Sequence, residues 1–303
     1  MSAPARPAPT RMRGELVVEG LSFQYPRAER PVLRGMSLRV APGESVGVLG
    51  PNGSGKSTFL SALLEARSGH REGTVTLAGA RAWRRELVGY ATQEVALYPQ
   101  LTAAENLRHM ARILCPPERV AGAVTATLDE FGLRGRAHEP VHRLSGGWQR
   151  LTHLAASFVH DPPLRLLDEP TTALDFETRS RLVELTRRWR IDGCALLVTS
   201  HYPEDIEQMC THAVVVRDGV VARHAPVPEL MAAHRRELLL ETTDAGTSRQ
   251  RRLPVPRTVA ELRDYLLHHA DGRERLKEIR TTGARLRDAL AADPHLRGAV
   301  DDE

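Results

Sequence analysis

Apolar and polar positions alternate along "ELVVEGLSFQY" (15–25) and "MSLRVAPGESVGVLG" (36–50), which predicts β-strands with a turn at Pro42–Gly43. Past "GPNGSGKST" (50–58) the period changes. Phe59, Leu60, Leu63 and Leu64 recur at helical spacing, with Gly69 as a stop. "GTVTLAG" (73–79) reads as a short strand between turns. Thr102 opens a helical stretch whose "TAAE" start fits a capping box. Leu107, Met110, Ala111 and Leu114 carry its apolar face as far as Pro116–Pro117, and a second helix covers 118–131. The apolar runs "LRLLD" (164–168) and "CALLVTS" (194–200) flank a charged helical stretch at 177–190, the alternation of parallel βαβ units. "AVVVRDGVVA" (213–222) predicts a hairpin turning at Asp218–Gly219.

The two ends differ from this body. Residues 1–13 are Pro/Ala/Arg-rich and predict a disordered tail; 14–236 reads as one α/β domain. Residues 237–303 form a C-terminal extension, either a small α+β element or partly disordered. There "ELLLETTD" suggests a strand, "SRQRRLPVP" a basic connector and "TVAELRDYLLHHA" (258–270) a capped helix, followed by two Arg-rich helical stretches. No internal repeat is visible.

Composition narrows the field only modestly. With 303 residues, 41% apolar, 26% charged and a net charge of +4, the chain is an ordinary globular protein, mildly basic. Aromatic content of 4%, with no basic block interleaved with aromatics, argues against nucleic-acid binding. The N-terminus lacks an apolar signal core, and the longest apolar runs fall far short of the ~18 residues that cross a bilayer. Cys115, Cys194 and Cys210 lie far apart without metal-ligand spacing, as expected for buried reduced thiols of a cytoplasmic protein. Of 42 basic residues only Lys56 and Lys277 are lysines.

Lys56 stands in Gly50-Pro51-Asn52-Gly53-Ser54-Gly55-Lys56-Ser57-Thr58, after a strand and before a helix, the context of a P-loop. Glycines let successive N–H groups turn inward on phosphate oxygens, and the helix N-terminus adds positive potential. A compact ammonium reaches the β/γ-phosphates where a guanidinium would present a wider fork, and Ser57 offers its hydroxyl to Mg²⁺. The motif by itself says only that a nucleoside triphosphate is bound.

"LSGGWQR" (144–150) followed by "LRLLDEPTTALD" (164–175) adds the discriminating chemistry. Asp168 ends an apolar strand, placed for the Mg²⁺ shell, and Glu169 is free to take a proton from attacking water, worth roughly 10²–10⁴ in rate. With these motifs the chain resembles the ATP-binding-cassette (ABC) ATPases over roughly 15–225. The resemblance implies a P-loop NTPase fold of ABC type: a mixed central sheet with flanking helices, an antiparallel β subdomain and a helical subdomain. It implies that Ser145, Gly146 and Gly147 bind the γ-phosphate of ATP held by an opposite subunit. Gln93 of "YATQE" would sense Mg²⁺ and γ-phosphate, His201 of "VTSHY" would orient the water, Tyr25 of "LSFQYP" would stack on adenine, and Asp175 would couple the two sites. Trp148 stands where the family commonly has Gln, with Gln149 next. Arg165 stands where the family is apolar, so a buried guanidinium there needs a partner.

From the resemblance, ATP and Mg²⁺ are expected as cofactors and a second nucleotide-binding subunit, identical or related, as partner. Integral membrane permease subunits on separate chains are also expected, placing the protein in the cytoplasm on the inner face of the cell membrane. The segment 94–114 resembles cassette proteins of drug- and lipid-type exporters, where a short helix of the membrane subunit docks. The alternative is a single-cassette, non-transport ABC ATPase acting on a soluble assembly; Lys56 and Ser145 stand too close in sequence for the long coiled-coil insertion of DNA-repair members.

Overall fold

The structure is a computed structural model; it describes residues 14–80, 85–172, 174–232, 237–244, 247–254, 275–282, 285–293 and 296. The predicted tail (1–13), helix (258–270) and Lys277 side chain lie outside what is described.

The central sheet is built from buried runs. β3 (Ser45–Leu49), β6 (Leu164–Asp168) and β7 (Ala195–Ser200) have every residue buried. Strands covered on both faces need such continuous apolar sequence. With β5 (Val88–Ala91), β8 (His212–Arg217) and β9 (Val220–Pro226) they form one sheet in the order β5-β6-β7-β3-β8-β9. All neighbours are parallel except the β8–β9 hairpin, whose turn is Asp218–Gly219 as expected. β1 (Leu16–Gln24), β2 (Leu33–Val40) and β4 (His70–Leu77) make the antiparallel sheet, in the order β2-β1-β4.

Helix α1 (Lys56–Leu63) follows the glycine loop and stops before the expected Gly69, with Glu65 taking the left-handed turn at φ 53°. α2 (Ala103–Leu114) carries the capping box, Thr102 Oγ1 accepting from the Glu105 amide at 3.2 Å while Glu105 Oε2 accepts from the Thr102 amide at 2.8 Å. α2 packs with α3 (Val120–Glu130) and α4 (Gly146–Ser157) as a helical layer. α5 (Phe176–Ile191), α6 (Pro203–Met209) and α7 (Val227–Ala232) complete the covering of the sheet. Cys194 and Cys210 are buried, outside any disulfide, and Cys115 is half-buried; burial pushes the Cys210 thiol up.

Past Ala232 two expectations are corrected. Residues 247–254 are not a connector but strand β11, antiparallel to β10 (Glu237–Asp244). As the sheet's edge, β11 tolerates the charges that suggested a loop. The first Arg-rich helical stretch is instead strand β12 (Arg275–Thr282). A bulge between Leu276 and Glu278 pairs Leu276 with Thr242 and Ile279 with Leu240, so an i, i+3 spacing that imitates a helix fits a strand register. The last helix, α8 (Leu286–Ala292), returns to α6 and α7 with Leu286 and Leu290 buried.

Candidate active site

Three chain turns meet at the carboxyl ends of adjacent parallel strands, where open α/β sheets hold ligands. β3 runs into the glycine loop, β6 into Asp168–Glu169 and β7 into His201; the register sets Asp168 beside Thr199 and Leu49 beside Ser200.

In the loop, Gly55 has φ 102° and Gly53 φ 80°, values that L side chains rarely adopt. A Cβ on Gly50 would lie 2.5 Å from the Val216 carbonyl. The curl is therefore fixed by glycine. Lys56 is buried and its Nζ donates to the Gly50 carbonyl at 2.7 Å and the Pro51 carbonyl at 3.1 Å. Ser54 Oγ is buried with no hydrogen-bond partner. Tyr25 is half-buried, its hydroxyl 3.0 Å from Thr58 Oγ1 and its ring edge-on to Phe23.

Asp168 is the centre of a hydroxyl cluster. Its Oδ1 accepts from Thr199 Oγ1 at 2.6 Å and Ser57 Oγ at 3.1 Å, and its Oδ2 from the Tyr90 hydroxyl at 3.2 Å. Burial and that carboxylate push the Tyr90 phenol up to about 12. Glu169 leaves the strand in a left-handed turn, φ 44°, its amide donating to Thr199 Oγ1 at 3.0 Å. A non-glycine residue there is strained. Gln93 Nε2 donates to Glu169 Oε2 at 3.3 Å, Lys56 Nζ lies 3.7 Å from Oε1, and His201 Nδ1 lies 3.2 Å from Oε2 without hydrogen-bond alignment. Lys56, Ser57, Gln93, Asp168, Glu169 and His201 thus converge.

Ser145–Gly147 stands outside those bonds. Ser145 occupies the N-cap of α4, but its side chain makes no capping hydrogen bond, and Ser145 and Gly146 are both exposed. A Cβ on Gly147 would lie 2.8 Å from Thr178 Oγ1 and 3.3 Å from Asp175 Oδ2, so α4 begins against the start of α5. Asp175 caps α5, accepting from the Thr178 amide at 2.8 Å, which holds its carboxyl below the usual range. Trp148 is flanked by Arg136 at 4.8 Å and Arg181 at 5.2 Å, and Gln149 donates to the Leu144 carbonyl at 2.9 Å.

Arg150 belongs to the site as well, though no motif singles it out. Buried in α4, it donates to five carbonyls: Thr92 and Gln93 at 2.7 Å each, Asp168 at 2.9 Å, Glu169 at 3.1 Å and Pro170 at 3.3 Å. One guanidinium thereby ties the Gln93 segment to the Asp168–Glu169 turn. The available signal was a charged residue at the edge of the Leu151, Leu154, Ala155, Phe158 stripe. Thr199 was legible too, as a hydroxyl inside an apolar strand beside Asp168.

The arrangement resembles known proteins throughout. A family model described as ABC transporter matches residues 33–172. Nod factor export ATP-binding protein I of Paraburkholderia xenovorans is 37% identical over 219 residues, 70% of this chain and 72% of that protein. Linearmycin resistance ATP-binding protein LnrL of Bacillus subtilis is 29% identical over 262 residues, 84% of this chain and 83% of that protein. Among solved structures, a dimeric ATP-binding cassette in a post-hydrolysis state bound to ADP and Pi matches with TM-score 0.61 and 26% identity, covering 70% of this chain and 98% of that one.

Proposed function

The chain belongs to the ABC transporter family as an ATP-binding, ATP-hydrolysing subunit, and from that premise we propose that it powers export through membrane-spanning subunits on separate chains. It works on the inner face of the cell membrane; no helix among the described residues is long and apolar enough to cross a bilayer. The observation that carries the catalytic part is the convergence on Glu169 of Lys56, Gln93 and His201. Residues 14–236 are the nucleotide-binding domain, and 237–303 an appended extension.

The glycine loop, Gly50 to Thr58, receives the triphosphate on its amides, with Tyr25 against adenine. The orphaned Ser54 hydroxyl and the glycine-only curl suit such a ligand. Lys56 exchanges its bonds to the Gly50 and Pro51 carbonyls for phosphate oxygens. Ser57 Oγ and Asp168 Oδ1, 3.1 Å apart, form with the Gln93 side-chain oxygen an all-oxygen donor set, which fits Mg²⁺. Bound there, Mg²⁺ neutralises charge on the phosphates. Glu169 takes a proton from the water that attacks the γ-phosphorus, and ADP leaves with phosphate released. His201, held beside Glu169 and against the Tyr202 ring at 3.8 Å, orients that water. Ser145–Gly147 and the α4 N-terminus of a second subunit cap the γ-phosphate, with Asp175 at the contact, in a head-to-tail dimer.

Export is supported by the relatives, whose names concern resistance to linearmycin and export of Nod factor. A docking face is at hand in 94–114, where Val95, Tyr98 and Ile113 are exposed and Tyr98 packs edge-on to His109 at 5.0 Å. Affinity purification from detergent-solubilised membranes tests the reading. Recovery of a polytopic membrane protein supports it; an exclusively soluble partner overturns it in favour of a non-transport assembly.

A further inference from the structure

Phe176 is 87% exposed, the most exposed large apolar side chain among the described residues, and Glu177 beside it is exposed as well. One exposed phenyl is unremarkable; its place is informative. It opens α5 directly after the Asp175 cap, and the close approach of Gly147 to Asp175 and Thr178 sets that first turn beside Ser145–Gly147. Whatever surface receives Ser145–Gly147 meets Phe176 and Glu177 too.

At the glycine loop, a cleft of about 950 Å³ opens between Arg30–Arg34, the outer flank Pro51–Ser54 and the β8–β9 turn Arg217–Gly219. Arg30, Arg34 and Arg217 are exposed along it, with Pro31, Val32 and Pro51 as apolar walls. Arg34 is fixed by its Nε to the Asp218 carbonyl at 2.9 Å, and Arg217 lies 3.9 Å from the Asp218 carboxylate. The fixed guanidinium plane of Arg34 and the prolines are good company for a phenyl ring, and a glutamate beside that ring answers the charge that Arg30 and Arg217 add to the cleft.

We propose that Phe176 of each protomer seats in the arginine-lined cleft of a second copy of this chain, with Glu177 paired to its guanidiniums. The docking rests on the head-to-tail reading above. A second copy's Ser145–Gly147 facing the glycine loop carries its own α5 start to the loop's outer flank, which is the mouth of the cleft. The arginines thus select an aromatic-acidic helix start and fix how two copies meet.

The test uses the full chain carrying Glu169→Gln, with Mg²⁺ and ATP, followed by sedimentation velocity over a range of concentrations. A two-fold dimer makes each contact twice, so a loss of about five-fold per contact multiplies to about 25-fold in dimer dissociation. Phe176→Ala, Glu177→Arg and Arg30→Glu are each expected to weaken dimerisation on that scale, and Arg30→Glu with Glu177→Arg to recover most of it. Binding of a fluorescent ATP analogue, at concentrations where the chain is monomeric, is expected to be unchanged. A dimeric Glu169→Gln parent with an equally dimeric Phe176→Ala derivative overturns the docking and leaves the head-to-tail reading standing. A parent that stays monomeric removes both. Loss of analogue binding in Arg30→Glu also overturns the docking, because the cleft then serves the nucleotide.

Discussion

Replacing Asp161 with Asn is expected to destabilise the protein, and adding Arg165→Met is expected to repair it. Arg165 is 0% exposed within β6. Its Nη2 donates to Asp161 Oδ1 at 2.6 Å, Glu130 lies 3.9 Å from Nη1, and the guanidinium sits 4.3 Å from the Trp189 ring centre and 5.4 Å from that of Phe158. Its Nε and Nη1 have no hydrogen-bond partner, so the charge depends heavily on Asp161. Breaking a buried pair from one side typically costs 3–5 kcal/mol. Here Asn still accepts a hydrogen bond and Glu130 and the rings remain, which lowers the cost to about 2–3 kcal/mol. Asn also tolerates the φ of 55° at position 161, where Ala would add strain of its own. For a domain of this size the loss corresponds to roughly 5–10 °C in Tm. Removing both charges leaves an apolar contact among Phe158, Trp189 and Met, and brings the double variant to within about 1 kcal/mol of the parent. Thermal melts and urea titrations of the four proteins of the cycle measure these values. A single variant melting with the parent, or a double variant worse than the single, would show that the guanidinium is not held as described.

Glu169→Gln is expected to bind ATP while steady-state phosphate release falls by about 10² or more, since proton acceptance is lost; normal turnover would refute the base assignment. Lys56→Ala is expected to lose most ATP affinity by calorimetry, and undiminished binding would refute the phosphate assignment. Arg150→Lys is expected to fold but lose hydrolysis, because an ammonium cannot span the five carbonyls that the planar fork reaches; phosphate release at the parental rate would refute the tie. His153 is pushed down to about 4 by burial, with the Arg150 charge adding, and its Nδ1 accepts from the Ala96 amide at 3.3 Å. Below the ordinary imidazole pKa of about 6.5 the unfolded chain binds a proton that the folded chain refuses. Stability should therefore fall as pH drops from about 6.5 towards 4, by up to ~1.4 kcal/mol per unit for this group, and His153→Gln should reduce the slope in urea titrations at pH 7 and 5, leaving the share of His160, which burial also pushes down to about 4.

Motifs with strict backbone chemistry were legible from the sequence. The glycine loop, the capping box at Thr102 and the Asp218–Gly219 turn each depend on a few adjacent residues, and each stands where the pattern placed it. What escaped depends on distant partners. Arg165 was visible as a charge in an apolar strand, but Glu130 and Trp189 lie on other elements, as do the carbonyls that Arg150 collects. The strands β11 and β12 were misread for a related reason. A charged edge strand and a bulged register both depart from the alternation that identifies a strand, and only pairing with β10 reveals them.

Arg150 also explains how one helix serves two ends of the mechanism. α4 follows its N-cap Ser145, the position proposed above to meet a second subunit's nucleotide, and within two turns carries Arg150 and His153. Arg150 holds the Thr92 and Gln93 carbonyls and His153 the Ala96 amide, both in the segment leading to the exposed Val95, Tyr98 and Ile113 face. The same guanidinium holds the backbone of Asp168 and Glu169. Buried hydrogen bonds of a charged donor are worth roughly 1.5–3 kcal/mol each, so slippage among these segments is costly. If 94–114 is the docking face proposed above, a shift there would be felt at the start of α4 and at the Gln93–Glu169 contact together. On the proposed reading, closure around nucleotide and rearrangement at the membrane side would be coupled through this one guanidinium, because it bonds the backbone on both sides.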